Sequence, residues 1–73
     1  MAIPGNKINP ARLRAYRKAL GFSREQLAVQ ISRSFESIRL METGAMNPSD
    51  ETLARLCTTF ACSPEHLLDE EDR

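Results

Sequence analysis

Two cysteines and one histidine in the second half of the chain could bind a metal ion. Cys57, Cys62 and His66 follow the spacing C-x4-C-x3-H. That spacing matches no usual zinc pattern, and no fourth ligand is apparent. Free cysteine is among the most buried residue types. We therefore predict that both cysteines pack in the core, that His66 lies at the surface or beside a helix cap, and that no metal or other cofactor is bound.

Catalytic residues are the next candidates, and the sequence offers few of them. It contains one histidine, no glycine-rich phosphate loop after a strand, and no paired carboxylates set for acid–base chemistry. A chain of 73 residues makes one domain and leaves no room for a large enclosed cavity. The sequence therefore predicts a protein that is not an enzyme.

The charges are unevenly distributed although the chain is neutral overall. Residues 1–48 carry eight basic and three acidic groups, a net charge of +5, and residues 49–73 have a net charge of −5. A domain polarised in this way can present a basic face to a polyanion. Alternatively, the charges are simply solvated and unevenly scattered. The asymmetry favours a nucleic-acid partner only weakly.

The clearest structural pattern predicts two short helices joined by a very short turn, within Phe22–Gly44. Ser23 and Gln26 have the spacing of a capping box, and Ser34 suits the start of the second helix. The final glycine suits its end, which leaves Ser32-Arg33 for the turn. Helices joined so tightly must cross at a steep angle, as in a helix-turn-helix. The apolar residues at helical spacing are Leu27, Ala28, Ile31, Ile38 and Met41.

Three further short helices are predicted around this pair. Asn9-Pro10 suits the start of the first helix and Gly21 its end, Ser49 caps the fourth, and Ser63–Glu65 opens a short fifth. The positions expected on buried faces are Leu13, Tyr16, Arg17 and Leu20 in the first helix, Leu53, Leu56, Cys57 and Phe60 in the fourth, and Leu67 and Leu68 in the fifth. The prediction is an all-α, compact five-helix domain.

The chain divides into a domain and two short ends. We predict a mobile arm over residues 1–8, the helical domain over 9–68, and an acidic tail over 69–73. No apolar run approaches membrane length, and Met1–Lys7 does not resemble a signal peptide. We therefore expect a cytoplasmic protein without a membrane partner.

The outer face of the second central helix carries side chains that could contact bases in the major groove of DNA. Arg39 could donate twice to guanine, Glu36 could accept from cytosine N4, and Phe35 could pack on a thymine methyl. With Ile38 and Met41 pointing inward, the outward positions are Phe35, Glu36, Ser37, Arg39 and Leu40. The candidates for phosphate contacts are Arg33, Ser34 and Asn47, together with exposed helix N–H groups.

Each of these side chains also has a structural interpretation. Phe35 could fold back on the core, and Leu40 could be a peripheral core residue. Glu36 and Arg39 are three residues apart and could pair only with each other. Arg33 could simply be solvated, and so could Arg24 at the start of the first central helix. These alternatives stay open at the level of the sequence.

Three stretches resemble the phage-repressor and Cro (XRE-type) helix-turn-helix family. The first is L-A-x-x-I-x-x-S-x-x-S-I-x-x-M-E-x-G, followed by N-P-S and then by L-x-x-L-C-x-x-F-x-C-S-P-E-H-L. Together they extend the resemblance over Leu13 to Leu68, nearly the whole predicted domain. The resemblance implies a five-helix lambda-repressor-like fold, binding of operator DNA as a dimer, and regulation of transcription.

The resemblance also implies roles for single residues. Phe35, Glu36 and Leu40 match positions that commonly contact bases, and Arg24 matches a position that often contacts a phosphate. Arg17 and Glu42 match positions that often form a salt bridge between the first helix and the end of the recognition helix.

Three departures from the family pattern support an alternative function. The turn is Ser32-Arg33 where the family usually has glycine and an apolar residue, and the connection Ala45-Met46 replaces an often basic one. The recognition surface offers phenylalanine, glutamate and leucine where amide and basic side chains are more usual. An exposed Phe35–Leu40 pair also suits a protein partner.

Two hypotheses follow. The first is a DNA-binding transcriptional regulator, of repressor type, whose homodimer binds a palindromic operator with half-sites about 10 base pairs apart. Its dimer surface would use the last helix, around Leu67 and Leu68. The second is a helix-turn-helix scaffold that binds a protein, as in an antitoxin or anti-repressor, with weak or no DNA binding.

Overall fold

Residues 7–69 fold into four α-helices followed by one short turn of 3-10 helix. The computed structural model describes residues 7–69, and the elements are α1 (Pro10–Ala19), α2 (Arg24–Ile31), α3 (Phe35–Thr43), α4 (Asp50–Phe60) and the 3-10 turn Pro64–His66. The all-α prediction is confirmed, with α2 and α3 as the helix-turn-helix. No helix within residues 7–69 is long and apolar enough to cross a membrane.

The predicted starts of the four helices are confirmed. Asn9 accepts hydrogen bonds from the backbone N–H groups of Ala11 and Arg12, and Ser23 forms the capping box with Gln26. The hydroxyls of Ser34 and Ser49 accept from the N–H groups three residues ahead, at 3.1 and 3.2 Å. Each cap satisfies donors that the first helical turn leaves without partners.

All four helices end in the same way, with a backbone hydrogen bond that closes the last turn. These bonds run from Phe22 N to Arg17 O, from Arg33 N to Ala28 O, from Ala45 N to Leu40 O and from Cys62 N to Cys57 O, at 2.9–3.0 Å. This bond is typical of the Schellman motif, which needs one residue in the left-handed conformation. Gly21 and Gly44 supply it after α1 and α3, but Ser32 and Ala61 supply it after α2 and α4, each with a φ of 56°.

One core joins all the elements. Tyr16 of α1 stacks on Phe60 of α4 with ring centroids 5.4 Å apart. Thr52 is a buried polar residue, and its hydroxyl contacts Arg33 and Ser49. Leu20 was predicted to be buried, but it is 50% exposed at the end of α1. The largest fully buried side chains are Leu13, Leu27, Ile31, Ile38, Met41, Leu56 and Leu67.

The prediction of a fifth α-helix is wrong. Only Pro64–His66 form a helical turn, and the next two residues are buried in the core. Leu67 is fully buried, and Leu68 forms an isolated antiparallel bridge with Ile8. The backbone pairing of Leu68 with Ile8 takes the place of a further helical turn.

The two ends of the described chain are held together by this bridge, and we call Lys7–Asn9 with Leu67–Asp69 the terminal pairing. The backbone N–H of Asn9 donates to Leu67 O at 2.7 Å, and that of Asp69 donates to Lys7 O at 2.8 Å. Ile8 is 4% exposed. The predicted boundary of a mobile arm at residue 8 is therefore wrong, because Lys7 and Ile8 belong to the domain. The rest of the predicted arm and tail, residues 1–6 and 70–73, lies outside the described residues.

The predicted dimer surface is also wrong. Leu67 and Leu68 are 0% and 8% exposed, since both pack in the core of their own chain. A side chain that is already buried in this way offers almost no area to a second copy.

Candidate nucleic-acid interface

The outer face of α3 is presented to solvent by the packing of its inner face. Ile38 and Met41 are fully buried against the rest of the core. The left-handed conformation of Ser32 turns the chain between α2 and α3, and the buried carboxylate of Glu42 anchors the far end of α3. As a result, the predicted contact residues occupy the outer side of α3 with exposed or half-buried side chains: Phe35, Glu36, Ser37, Arg39 and Leu40.

Apolar and hydroxyl groups flank the charged part of this face. Phe35 is 40% exposed and therefore has not folded back fully on the core. Leu40 is half-buried, so part of its side chain is accessible to solvent. The hydroxyls of Ser34 and Ser37 lie 3.0 Å apart, and Ser34 also accepts from the N–H of Ser37. Both serines are thus engaged at the start of α3.

Glu36 and Arg39 form an ion pair in the middle of the outer face. Arg39 Nε donates to Glu36 Oε1 at 3.1 Å, and Arg39 Nη2 donates to Glu36 Oε2. The hydrogen bond from Arg39 lowers the pKa of Glu36 below its ordinary value. The pairing that the i, i+3 spacing allowed is therefore present, and the centre of the face carries no net charge.

Glu42 is the centre of a buried cluster of side chains that connects α1, α2 and α3. The cluster consists of Glu42, Arg17 and Arg24, and we call it the Glu42 cluster. The side chain of Glu42 is fully buried and accepts from Arg17 Nε at 2.5 Å, from Arg17 Nη2 at 3.2 Å and from Arg24 Nε at 3.1 Å. Arg17 also donates to Phe22 O at 2.9 Å. Burial raises the pKa of Glu42, but the hydrogen bonds and positive charges of the two arginines outweigh this effect and lower it overall.

One member of the Glu42 cluster, Arg24, is predicted from the sequence to lie at a phosphate or in solvent. Its Nε nevertheless pairs with Glu42. Its side chain is still 38% exposed, so it lies at the edge of the cluster and faces solvent. The structure therefore gives Arg24 a structural contact and leaves its outer part accessible.

Two further predicted phosphate contacts are also engaged within the domain. Arg33 Nε donates to Thr52 Oγ1 at 3.0 Å, and its Nη2 lies 3.9 Å from Glu51 Oε1, which ties the turn to α4. Asn47 Oδ1 accepts from the backbone N–H of Ile8 at 2.8 Å. Asn47 is exposed, and this bond leaves its amide NH₂ as the donor available outward.

Several arginines have structural roles that the sequence did not indicate. Arg55 donates to Ile31 O at the end of α2, and Arg14 donates to the backbone carbonyl of Glu42. Arg12 donates to Leu68 O at 2.8 Å and so supports the terminal pairing. Much of the basic excess of residues 1–48 is therefore used for internal contacts. A count of charges along a sequence does not reveal this, because each acceptor is distant along the chain.

The cysteines lie where the core prediction placed them. Cys57 is 9% exposed, Cys62 is half-buried, and both are free thiols. Burial raises the pKa of Cys57 to about 11 and also raises that of Cys62. His66 is exposed, and its Nδ1 accepts from the backbone N–H of Ser63. Within residues 7–69, no three histidine, cysteine, aspartate or glutamate side chains are grouped as metal ligands.

Comparison with known proteins agrees with this arrangement of helices. The profile of a helix-turn-helix domain matches residues 11–70. The chain belongs to the XRE-type helix-turn-helix family. A comparison with curated proteins gives no match.

Solved structures of this family superimpose closely on the chain. The restriction-modification controller protein C.AhdI from Aeromonas hydrophila is 30% identical, with a TM-score of 0.73 over 78% of this chain and 86% of that one. The DNA-binding domain of the P22 C2 repressor is also 30% identical, with a TM-score of 0.74 over 78% and 75%. The N-terminal DNA-binding domain of SinR from Bacillus subtilis is 28% identical, with a TM-score of 0.76 over 88% and 94%.

Proposed function

We propose that this XRE-type protein is a sequence-specific, double-stranded-DNA-binding regulator of transcription, of the repressor type. The observation that carries the proposal is the outer face of α3. It is held outward by a buried inner face and by the Glu42 cluster, and it presents side chains that can bind base edges. The similarity to a restriction-modification controller and to the DNA-binding domains of P22 C2 and SinR supports the same function.

In this proposal the base contacts and the phosphate contacts come from different residues. Phosphate contacts would come from the exposed part of Arg24, from Arg33, and from the amide NH₂ of Asn47. Ser34 would contribute at the start of α3. The base contacts would come from side chains on the outer face of α3, where the candidates are Phe35, Glu36, Ser37, Arg39 and Leu40.

The proposal includes a homodimer on a palindromic operator. Two copies would place their α3 helices in successive major grooves on one side of the duplex, about 10 base pairs apart. Because Leu67 and Leu68 are buried within the chain, the dimer surface must lie elsewhere.

Salt-dependent binding to mixed genomic DNA tests the proposal. Neutralising DNA phosphates releases condensed counterions, so the affinity should rise steeply as salt is lowered. Fluorescence anisotropy at several salt concentrations gives the slope, and selection from a random duplex pool gives the preferred sequence. Absence of binding at low salt would refute the proposal.

A protein-binding scaffold is the second candidate, and one observation favours it. The outer face of α3 combines the 40% exposed Phe35 with a Glu36–Arg39 pair of no net charge, which lowers its attraction for a polyanion. The salt titration separates the two functions, because a scaffold of this type would show little or no DNA binding under any salt condition.

A further inference from the structure

In the Glu36–Arg39 pair, the glutamate binds one particular edge of the guanidinium group of Arg39. A guanidinium group has a side edge formed by Nε and Nη2 and an end edge formed by Nη1 and Nη2. Glu36 accepts from Nε and from Nη2, so its carboxylate covers the side edge. Among residues 7–69, Arg39 has no other hydrogen-bond partner in the structure. The end edge is therefore the one presented outward.

The end edge has the geometry needed to contact one base in particular. It offers two parallel N–H donors, and guanine presents two acceptors, O6 and N7, side by side in the major groove. Adenine presents one acceptor and one donor there, and the pyrimidines present a single acceptor or donor group. An arginine held in this way therefore discriminates in favour of guanine.

We propose that Glu36 is a positioning residue for Arg39, which it orients end-on toward a guanine, and that Glu36 does not itself contact a base. This inference rests on the proposed DNA-binding function. It deepens that function by naming the base that the centre of α3 selects.

Two observations and one general argument support the assignment. Both carboxylate oxygens of Glu36 accept from Arg39, so the carboxylate is directed at the arginine and has one acceptor site left on each oxygen. The side chains are 58% and 43% exposed, so the pair stands on the open face of α3. A free arginine would lose rotational freedom on binding, whereas a paired one is already restricted. The cost of ordering Arg39 on the DNA is thereby reduced.

Three variants test the inference after selection of the preferred duplex from a random pool. Arg39→Ala identifies the base pair that Arg39 contacts, because the preference at that position disappears. Glu36→Gln keeps the size of the side chain and removes its charge. Glu65→Gln is the matched control, since it removes one exposed acidic charge from the 3-10 turn, which is separate from α3. Thermal melts of each variant check that the fold is intact.

The measurement is the ratio of Kd values for the selected duplex and for one with that guanine replaced by adenine. We expect the wild-type ratio to be roughly 5- to 150-fold, the range of a good bidentate contact. Glu36→Gln should lower the ratio several-fold while binding of unselected DNA is equal or tighter. Glu65→Gln should leave the ratio unchanged.

Each other outcome identifies a different error. A ratio that is unchanged in Glu36→Gln would refute the positioning role, and a ratio that increases would show that Glu36 competes with the base for Arg39. A cytosine preference that is lost in Glu36→Gln but kept in Arg39→Ala would show that Glu36 contacts the base itself. A wild-type protein that binds no DNA would refute the proposed function, and this inference with it.

Discussion

The buried carboxylate of Glu42 ties α3 to α1 and α2 through two arginines. Removing it would leave Arg17 as a buried cation without its partner, which is costly in a medium of low polarity. We expect Glu42→Ala to lower the free energy of unfolding by about 3 kcal/mol. Urea denaturation measures this, and base preference in duplexes that still bind should be unchanged.

An exposed glutamate gives the control for this substitution. Glu25 is exposed in the first turn of α2, so Glu25→Ala should change stability by less than about 0.5 kcal/mol. A melting curve that is the same for Glu42→Ala and the wild type would contradict the structural role of the cluster.

The Glu42 cluster also predicts how stability depends on pH. Because the pKa of Glu42 is lower in the folded than in the unfolded state, its contribution is fully present above the ordinary carboxyl pKa of about 4.3. It is lost as the pH falls through the lower, folded-state pKa. We expect the unfolding free energy of the wild type to fall more steeply below pH 4.3 than that of Glu42→Gln, as measured by urea denaturation at a series of pH values.

If the unfolding free energies of the wild type and Glu42→Gln fell in parallel, other carboxylates would be responsible for the acid sensitivity. Glu25→Gln, which changes an exposed carboxylate of the same helical pair, should follow the wild-type curve.

The thiol of Cys57 should be unreactive in the folded protein. Burial raises its pKa to about 11, so almost none of it is thiolate at pH 8, and the thiolate is the reactive form. We expect a disulfide reagent to label Cys57 only at the rate of unfolding, as measured by mass spectrometry after timed quenching. Full labelling of Cys57 within the mixing time under native conditions would contradict this.

At the level of elements, the end of α4 has a residue in an unfavourable backbone conformation, which lowers the free energy of unfolding. Ala61 adopts φ of 56° after α4, a conformation that its Cβ disfavours and glycine does not. We expect Ala61→Gly to raise the free energy of unfolding by about 0.5–1 kcal/mol, measured in urea.

The opposite result is expected in the interior of the same helix. Ala54 is exposed and helical, so Ala54→Gly should lower stability by about 1 kcal/mol. If glycine is destabilising at both positions, the left-handed end of α4 carries no strain.

The starts of the helices, and the ends of α1 and α3, could be predicted because their signals are local. A serine and the N–H that it caps are three residues apart, and the glycines at 21 and 44 stand next to the helices that they end. The last element could not be predicted in this way. Leu67 and Leu68 leave the helical path because Leu68 pairs with Ile8, and that partner is distant in the sequence.

The residues of the candidate interface were similarly only partly predictable. Helical spacing with a buried Ile38 is sufficient to place Phe35, Glu36 and Arg39 outward. The contacts of Arg24 with Glu42 and of Arg33 with Thr52 depend on how helices pack, and the sequence carries no local signal for them.

At the scale of the whole molecule, the accessible positive charge is smaller than the sequence suggests, so each phosphate contact should matter. We expect Arg24→Ala to weaken DNA binding by a similar factor for all sequences and to reduce the salt slope by about 1. Anisotropy titrations with selected and unselected duplexes measure both quantities.

The contact of Arg24 with Glu42 requires a check on folding. Melts should show a modest loss of stability in Arg24→Ala with the folded state still populated at the temperature of the titration. An affinity loss confined to one base position would contradict the assignment to a phosphate.

The terminal pairing has a consequence for the order of events in folding. The hydrogen bond from Asn9 Nδ2 to Asp69 Oδ1 joins residues 60 positions apart, whereas the caps and turns of α1 to α4 join near neighbours. Closing such a long loop costs the most chain entropy, so this contact should form after the local helices have assembled. For the same reason, Lys7–Asn9 and Leu67–Asp69 should detach together in partial opening of the native state, while the helix-turn-helix keeps its shape.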